Sequence, residues 1–561
     1  MKLAMKAKPK KRETELKLTL DDPADAEKIV AFLASRGYEI SPGATVHNED
    51  LYLDTFEWTL LKSGAALRFR SVDGRPFYTL KSVGTMKNGV ADRFELEVAV
   101  RGELHDPTSI PVKKIKSRVD SVIWPRRLIE QVMVRTERRT YGLAKGTDTW
   151  IELVFDSTRF QSRGLNAKRT APRLHEMEAE LVRGGTDELE RISQLVTGKF
   201  ACRPSAKSKL ETGMDRLKIS IPSKKPPKHL AVRRDDRFDL ALRKILAFQL
   251  QRIDEHVPGV HLDLDTEFVH QARVSTRRMR SALRLFQDAI PERTAKHIRA
   301  ELGWIAALFG EVRDLDVFLL NLPGVFAKIE TSTPGKRRAL ARWVAEHRMV
   351  SLKALQTALE SKRYRVLRSR LRRHLEAPLP KRPRGPLALR TVGEAAPGII
   401  LAKYAAVIAQ GRAVIEKPTL GSFHRLRIQM KRLRYACEFV APAYGDSLQP
   451  FIDKTVDIQD CLGELQDTVF TKTFIGRILD DWKGTAVDPG LLFLLGEIQQ
   501  LQGEIARSRQ AAFRGIWREF DRQEVADELR AILEGEHDES RKPEADETVP
   551  GKDAASSAAK T

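Results

Sequence analysis

The sequence has almost no cysteine: Cys202, Cys437 and Cys461 are scattered through 561 residues without a CxxC pair. That excludes a disulfide framework and a thiolate metal site, and it fits a reducing compartment. Long apolar runs are missing too. No segment approaches the roughly 18 apolar residues of a membrane span, and LLFLLGEIQQL (491–501) soon turns polar. The basic opening MKLAMKAKPKKRETELKL lacks the apolar stretch of a secretory signal. The expectation is a soluble cytoplasmic protein with no membrane association. Aromatic residues are only 7% of the chain. They form no stacking pattern of the kind that reads RNA, so nucleic acid is a disfavoured partner.

Positive charge, by contrast, is in excess. Lys and Arg number 98 against 76 Asp and Glu, a net of +22, and the isoelectric point is near 9.8. The excess is spread over both halves of the chain, which points to polyanionic partners without choosing among them.

Residues 11–213 read as one domain, with period two dominant from Lys11 to about Leu181. Alternating runs lie at 13–19, 66–70, 77–81, 93–98, 150–156 and 174–181, and only 24–36 and 187–198 read as helices. Such an order predicts an antiparallel sheet, closed into a barrel if the ends meet. Residues 111–127 fit as a helix and loop outside it. A basic Pro/Lys linker occupies 214–231, with SIPSKKPPKH at its heart. From 232 to 533 apolar residues recur at three and four, the helical period. The tail, 536–561, is charged and then Ala/Ser-rich and reads as disordered.

The strands carry their charges at every second position, sorted by sign: Glu13, Glu15 and Lys17; Arg68 and Arg70; Glu95 and Glu97; Glu152 and Asp156; Glu176, Glu178 and Glu180. Each strand alone reads first as a solvated face. Five doing so together, with Leu and Phe on their other faces, fit a closed sheet with charges inside. Carboxylates gathered there suit hard divalent cations. Arginine and lysine beside them suit phosphate. The combination suits a metal-chelated oligophosphate.

The opening E-x-E-x-K, followed by Arg68-x-Arg70, Lys81, Glu95-x-Glu97, Arg138 with Tyr141, Glu152 and Asp156, Glu176-x-Glu178 and Lys209, resembles the CYTH superfamily of triphosphate tunnel metalloenzymes. The resemblance implies an eight-stranded antiparallel β-tunnel that cleaves or cyclises triphosphates with Mg²⁺ or Mn²⁺. It implies Glu13, Glu15, Asp156, Glu176 and Glu178 as metal ligands. Lys17, Arg68, Arg70, Lys81, Arg138 and Lys209 would bind phosphates, with Glu13, Glu15 and Lys17 as the catalytic set. One departure is Thr212, where many relatives carry arginine.

In the second half VHQARVSTRRMRSALRLF (269–286) repeats as FHRLRIQMKRLRYACEFV (423–440) at an offset of 154. FGEVRDLD (309–316) and LGELQDTV (462–469) repeat at an offset of 153. Two motifs at nearly one offset mark an internal duplication. On a helix, His270, Arg273, Arg277, Arg280 and Arg284 fall within an arc of about 80°. His424, Arg427, Lys431 and Arg434 form the second stripe. Like charges three and four apart oppose a helix unless an anion relieves them. Neither histidine has a Cys or carboxylate at metal-ligand spacing.

This half resembles the CHAD family, which implies an all-α domain of two duplicated four-helix bundles that binds inorganic polyphosphate. The site would be His270, Arg273, Arg277, Arg280, His424, Arg427, Lys431 and Arg434, with the basic run 362–373 as an extension or a solvated face. CHAD commonly follows CYTH in bacterial chains. The expected function is therefore metal-dependent hydrolysis of inorganic triphosphate or short polyphosphate, with a localisation at polyphosphate granules. The alternatives are a non-catalytic polyphosphate binder, a thiamine triphosphatase or an adenylate cyclase.

Overall fold

The computed structural model describes residues 15–82, 95–102, 106–165, 169–205, 207–223, 225–329, 333–484 and 486–535. Glu13 and the tail 536–561 lie outside these residues. Two compact units emerge, one of residues up to Pro226 together with Ile253–Ala272, the other of Pro227–Arg252 and Arg273 onward.

The first unit holds β1 (Glu15–Leu20), α1 (Asp25–Ser35), β2 (Glu39–Asp54), α2 (Thr59–Lys62), β3 (Ala65–Val72), β4 (Arg75–Ser82), β5 (Glu95–Ala99), α3 (Lys113–Ile123), β6 (Ile129–Lys145), β7 (Thr149–Ser162), β8 (Leu174–Arg183), α4 (Asp187–Thr197), β9 (Cys202–Pro204) and α5 (Lys209–Arg216). The strands form one antiparallel sheet in the order β5-β4-β3-β2-β6-β7-β8-β1-β9. It is the expected antiparallel sheet with nine strands, not eight, because the three-residue β9 pairs outside β1.

Alternation decides which face is buried where. Leu18, Leu153, Phe155, Met177 and Ala179 pack beneath Ile29 and Leu33 of α1 and Ile192 and Val196 of α4. Leu51, Leu67 and Leu80 pack beneath Ile115 and Val119 of α3. The helices thus cover the apolar face, and the charged residues of the same strands share the other. At one end that second face is apolar as well, where Tyr52, Val134 and Phe160 meet Leu210 and Met214 of α5. Met214 therefore belongs to the core of this unit, and the chain leaves it later than the 214 boundary read from the sequence. The capping box of Ser208 and Glu211 starts α5 and fixes its first residue, Lys209.

The helices that follow are α6 (Phe238–His261), α7 (Thr266–Leu285), α8 (Glu292–Phe326), α9 (Pro334–Glu360), α10 (Lys362–Glu376), α11 (Val392–Glu416), α12 (Leu420–Val440), α13 (Gln449–Asp481), α14 (Pro489–Phe520) and α15 (Gln523–Glu534). The adjoining ends of α6 and α7 belong to the first unit, where His256 and Phe268 pack on Phe56 with ring centroids 5.3 Å away. The rest is all-helical, as expected. Phe318 and Leu322 of α8, Leu340 and Val344 of α9, Phe474 and Ile478 of α13 and Leu494 and Ile498 of α14 share one core. α13 and α14 also reach α11 and α12, through Tyr404–Phe451 and Phe423–Phe513 contacts. Contrary to the sequence expectation, α11 is long and apolar enough by composition to cross a membrane. Its alanines raise its hydropathy, yet Gly411 lies so close to the Trp517 ring that a Cβ there would come within 2.0 Å.

Candidate functional site

On the charged face of the sheet the registers Lys17↔Glu178 and Arg138↔Asp156 bring opposite charges side by side, and Asp156↔Glu176 sets two carboxylates next to each other between them. Arg138 donates from Nε and Nη2 to the two oxygens of Asp156 at 2.9 and 2.7 Å, and from Nη2 to Glu178 at 2.6 Å. Lys209, carried in by α5, donates to Asp156 and Glu178 at 2.7 and 3.0 Å. Lys17 lies 3.2 Å from Glu176 and 3.4 Å from Glu178. These six side chains form one cluster. Glu15 stands two residues before Lys17, opposite Glu180, and is exposed.

The two glutamates of β8 respond in opposite ways. Burial pushes Glu176 up, outweighing Lys17 and Lys209. Glu178 is held down at about 2, burial being overcome by Lys209, Arg138 and Lys17. Both carboxylate oxygens of Glu176 are buried without a hydrogen-bond partner, although its side chain is only 1% exposed. Among the described residues no three His, Cys, Asp or Glu side chains form a ready-made metal cradle, since the cations stand between the carboxylates. The buried oxygens of Glu176, paired with Lys17 at 3.2 Å and beside Asp156 and Glu178, nevertheless fit a hard oxygen-seeking cation.

Farther along the same face are Arg68 and Arg70, and with them a residue that sequence reasoning missed. Asp50 of β2 accepts from Arg70 Nε and Nη2 at 2.6 and 2.8 Å and lies 3.6 Å from Arg68. The paired arginines hold its carboxyl below the ordinary range despite burial. Thr79 donates to Glu97 at 2.9 Å, and Arg68 lies 3.9 Å from the same carboxylate. Lys81 sits on β4 in register with Glu95. Thr212, on α5, leaves its hydroxyl buried and without a partner.

In the helical unit, α7 and α12 turn their basic stripes toward common neighbours. Burial lowers Lys431 to about 7, and Arg427, Arg277 and Arg273 push the same way, against Asp467. Arg427 is lowered by burial and by Arg277 and Arg273, again against Asp467. Arg273 lies 3.4 Å from Asp314. Asp314 and Asp467 are themselves the equivalent residues of the shorter repeat, and burial raises both. Arg277 lies over the Tyr435 ring at 5.8 Å. Four predicted residues, Arg273, Arg277, Arg427 and Lys431, thus come together.

The others diverge. Arg434 donates to Glu438 at 2.6 Å. Arg280 instead neighbours Arg284. His424 bonds Gln466 at 2.6 Å, which makes it a residue that joins α12 to α13. His270 is half-buried one turn before Arg273. Residues the sequence reading did not place in the site are Arg432 and Arg299, which act on Arg284, and Lys403, which is lowered by burial and by Arg432.

Residues 11–212 match the CYTH domain family model, and residues 244–476 match the CHAD domain family model. The chain joins a CYTH domain to a CHAD domain. Among solved structures, the CYTH–CHAD chain is similar to the CHAD domain of Ricinus communis at 24% identity. That match covers 52% of this chain and 96% of the other, with a TM-score of 0.43. PptA from Streptomyces chartreusis matches at 15% identity over 50% and 100% of the two chains, with a TM-score of 0.41. HpAC1 from Hippeastrum, described as having a dominant triphosphatase activity, matches at 21% over 36% and 95%, with a TM-score of 0.27. No curated protein matches the sequence.

Proposed function

We propose that the CYTH domain of this chain hydrolyses inorganic triphosphate or short polyphosphate with a divalent metal, Mg²⁺ or Mn²⁺, and that the CHAD domain binds polyphosphate in the cytoplasm. The observation that carries the first part is the interleaving of Asp156, Glu176 and Glu178 with Lys17, Arg138 and Lys209. A site for a bare anion gains nothing from buried carboxylates. One for a metal-chelated phosphate needs both signs.

Glu15, Asp156, Glu176 and Glu178 would hold the metal, with Glu13 joining from outside the described residues. The ion would supply an activated water and neutralise phosphate charge. Lys17, Arg138 and Lys209 would then exchange their carboxylate partners for phosphate oxygens, with Arg68 and Arg70 taking the farther end of the substrate. Arg138 and Arg68 orient planar, two-pronged donors, whereas Lys209 places a point charge. Charge that develops on the leaving oxygens meets cations already fixed in position.

The test is phosphate release from inorganic triphosphate with Mg²⁺ or Mn²⁺ and then with EDTA. Wild type should release phosphate only with metal, and Glu176→Gln and Glu13→Gln/Glu15→Gln should lose the release. An inert wild type, with thiamine triphosphate and ATP also untouched, would leave a polyphosphate binder. For the CHAD domain the supporting observation is the gathering of Arg273, Arg277, Arg427 and Lys431 from the two repeats, with Lys431 depressed first by burial and then by these arginines.

A further inference from the structure

The duplication makes a comparison possible inside one chain. At the offset of 154, Arg278, Arg280 and Arg284 of the first repeat correspond to Arg432, Arg434 and Glu438 of the second. Two of the three positions keep their charge, and the third reverses it. Across α7 and α12 these residues sort into two equivalent groups, each combining two positions of one repeat with one of the other.

In the first group Glu438 accepts from Arg434 Nε at 2.6 Å and also from Arg278, so one carboxylate ties the two guanidinium groups together. Gln459 takes a further contact from Arg434 at 3.3 Å. In the second group Arg284 stands where Glu438 would, and the groups acting on it are Arg280, Arg432 and Arg299, all of one sign. Lys403 of α11 is lowered by burial and then by the charge of Arg432. None of these five cations has a hydrogen bond or an ion pair among the described residues, and Arg280 Nε is buried without a partner. Like charges at this spacing repel and are held together by the fold, and with Arg284 and Arg432 exposed the group is open to an anion from solvent. The shift of Arg284, with burial first among its causes and Arg280, Arg432 and Arg299 after it, runs in the same sense.

We propose that Arg280, Arg284, Arg299, Arg432 and Lys403 form a second phosphate-chain subsite that extends the Arg273/Arg277/Arg427/Lys431 cluster in one direction only, because Glu438 closes the equivalent position in the other repeat. The inference rests on the reading that the CHAD domain binds polyphosphate. It adds that the track is one-ended and that a single charge reversal between the repeats decides which end is open. From Arg273 to Arg284 the stripe runs about 16 Å along α7. A triphosphate can sit within the central cluster, whereas only a longer chain reaches the extension.

The experiment measures binding of inorganic tripolyphosphate and of long-chain polyphosphate to the full chain by calorimetry at two salt concentrations. Arg284→Glu should weaken the long chain by roughly tenfold or more, reduce its salt slope, and leave tripolyphosphate unchanged. Glu438→Gln frees Arg278 and Arg434, so it should tighten the long chain and steepen its salt slope. Thermal unfolding of both variants, with Arg284→Gln as the milder change, separates binding from folding. Wild type that binds neither probe overturns the polyphosphate reading, and the subsite with it. Wild type that binds while Arg284→Glu and Arg284→Gln shift both probes equally, or neither, overturns the subsite alone. A Glu438→Gln that folds but does not tighten the long chain overturns the one-ended track.

Discussion

Glu176 and Glu178 lie two residues apart on β8, face the same way, and are driven in opposite directions by what surrounds them. Glu178 has three cations around it and is held at about 2. A carboxyl depressed in the fold contributes stability that is present above its ordinary value and lost as pH falls toward the folded value. The chain should therefore lose stability between pH 4.5 and about 2, and Glu178→Gln should flatten that stretch of a thermal-midpoint-against-pH curve. Removing a partner from so buried a cluster should cost about 3 kcal/mol in a urea titration at neutral pH. Lys431 has a linkage of the same sign, arising from a relieved penalty rather than a gain. As a base lowered to about 7 from 10.5, it gives up in the folded state a proton that the unfolded chain retains, so unliganded stability rises across that interval. Polyanion binding at pH 8 should take up a proton there, seen as buffer-dependent binding heat, and Lys431→Arg should abolish it. Sequence reading reached Glu178 and Lys431 because regular repetition marked them out. It missed Asp50, which sits in a strand whose alternation is broken. It also assigned Arg434 to the phosphate set, since nothing in a stripe says that Glu438 will reach the same guanidinium.

At the scale of elements, the legible strands were those with clean period two. β2 and β6 were not read as strands, although they are the longest in the sheet. The register of β2 slips between Pro42 and Thr45. Gly43 there lies so near Thr140 that a Cβ would fall 2.4 Å from its hydroxyl. β6 carries charges on both faces near its middle, which hides its period. α5 was legible only in part. Lys209 is named only through the family resemblance, and the cap that aims it, Ser208 with Glu211, is a local device of the helix start. Ser208→Ala should cost about 1 kcal/mol of stability. It should also raise the KM for triphosphate more than it lowers kcat, because it loosens the position of Lys209; an unchanged KM would refute that coupling. In α11 the contact of Gly411 with Trp517 leaves no room for a methyl group. Gly411→Ala should therefore destabilise the chain by about 1–3 kcal/mol despite alanine's better helix propensity, as measured by denaturant unfolding.

On the scale of the whole molecule, the linker 214–231 reads as the border of two modules, and the contacts divide the chain within it, at Pro226, with one exception. Residues 253–272 belong with the sheet. Asp265 accepts from Arg126 at 2.9 Å and from the backbone N–H of Arg127 at 3.1 Å, while Phe268 covers Phe56. No periodicity could reveal this, since both helices continue unbroken through the boundary. A chain ending at Pro226 should accordingly unfold about 3 kcal/mol more easily than the same sheet in the full chain, by hydrogen exchange of β2 and β6 amides. Equal protection would show that 253–272 contribute nothing. The two modules differ also in how they hold their charge. On the sheet Lys17, Arg68, Arg70, Arg138 and Lys209 face Asp50, Asp156, Glu176 and Glu178, so the sum nearly cancels. Around Arg284 the charged groups that act on it among the described residues are all positive. Distance therefore separates them: a cancelled cluster fades within a few ångströms, while an uncancelled one is felt out to the Debye length. The difference is one of speed. Encounter with the helices should be fast and slow steeply as salt is added, and entry to the sheet should be slower and almost indifferent to it.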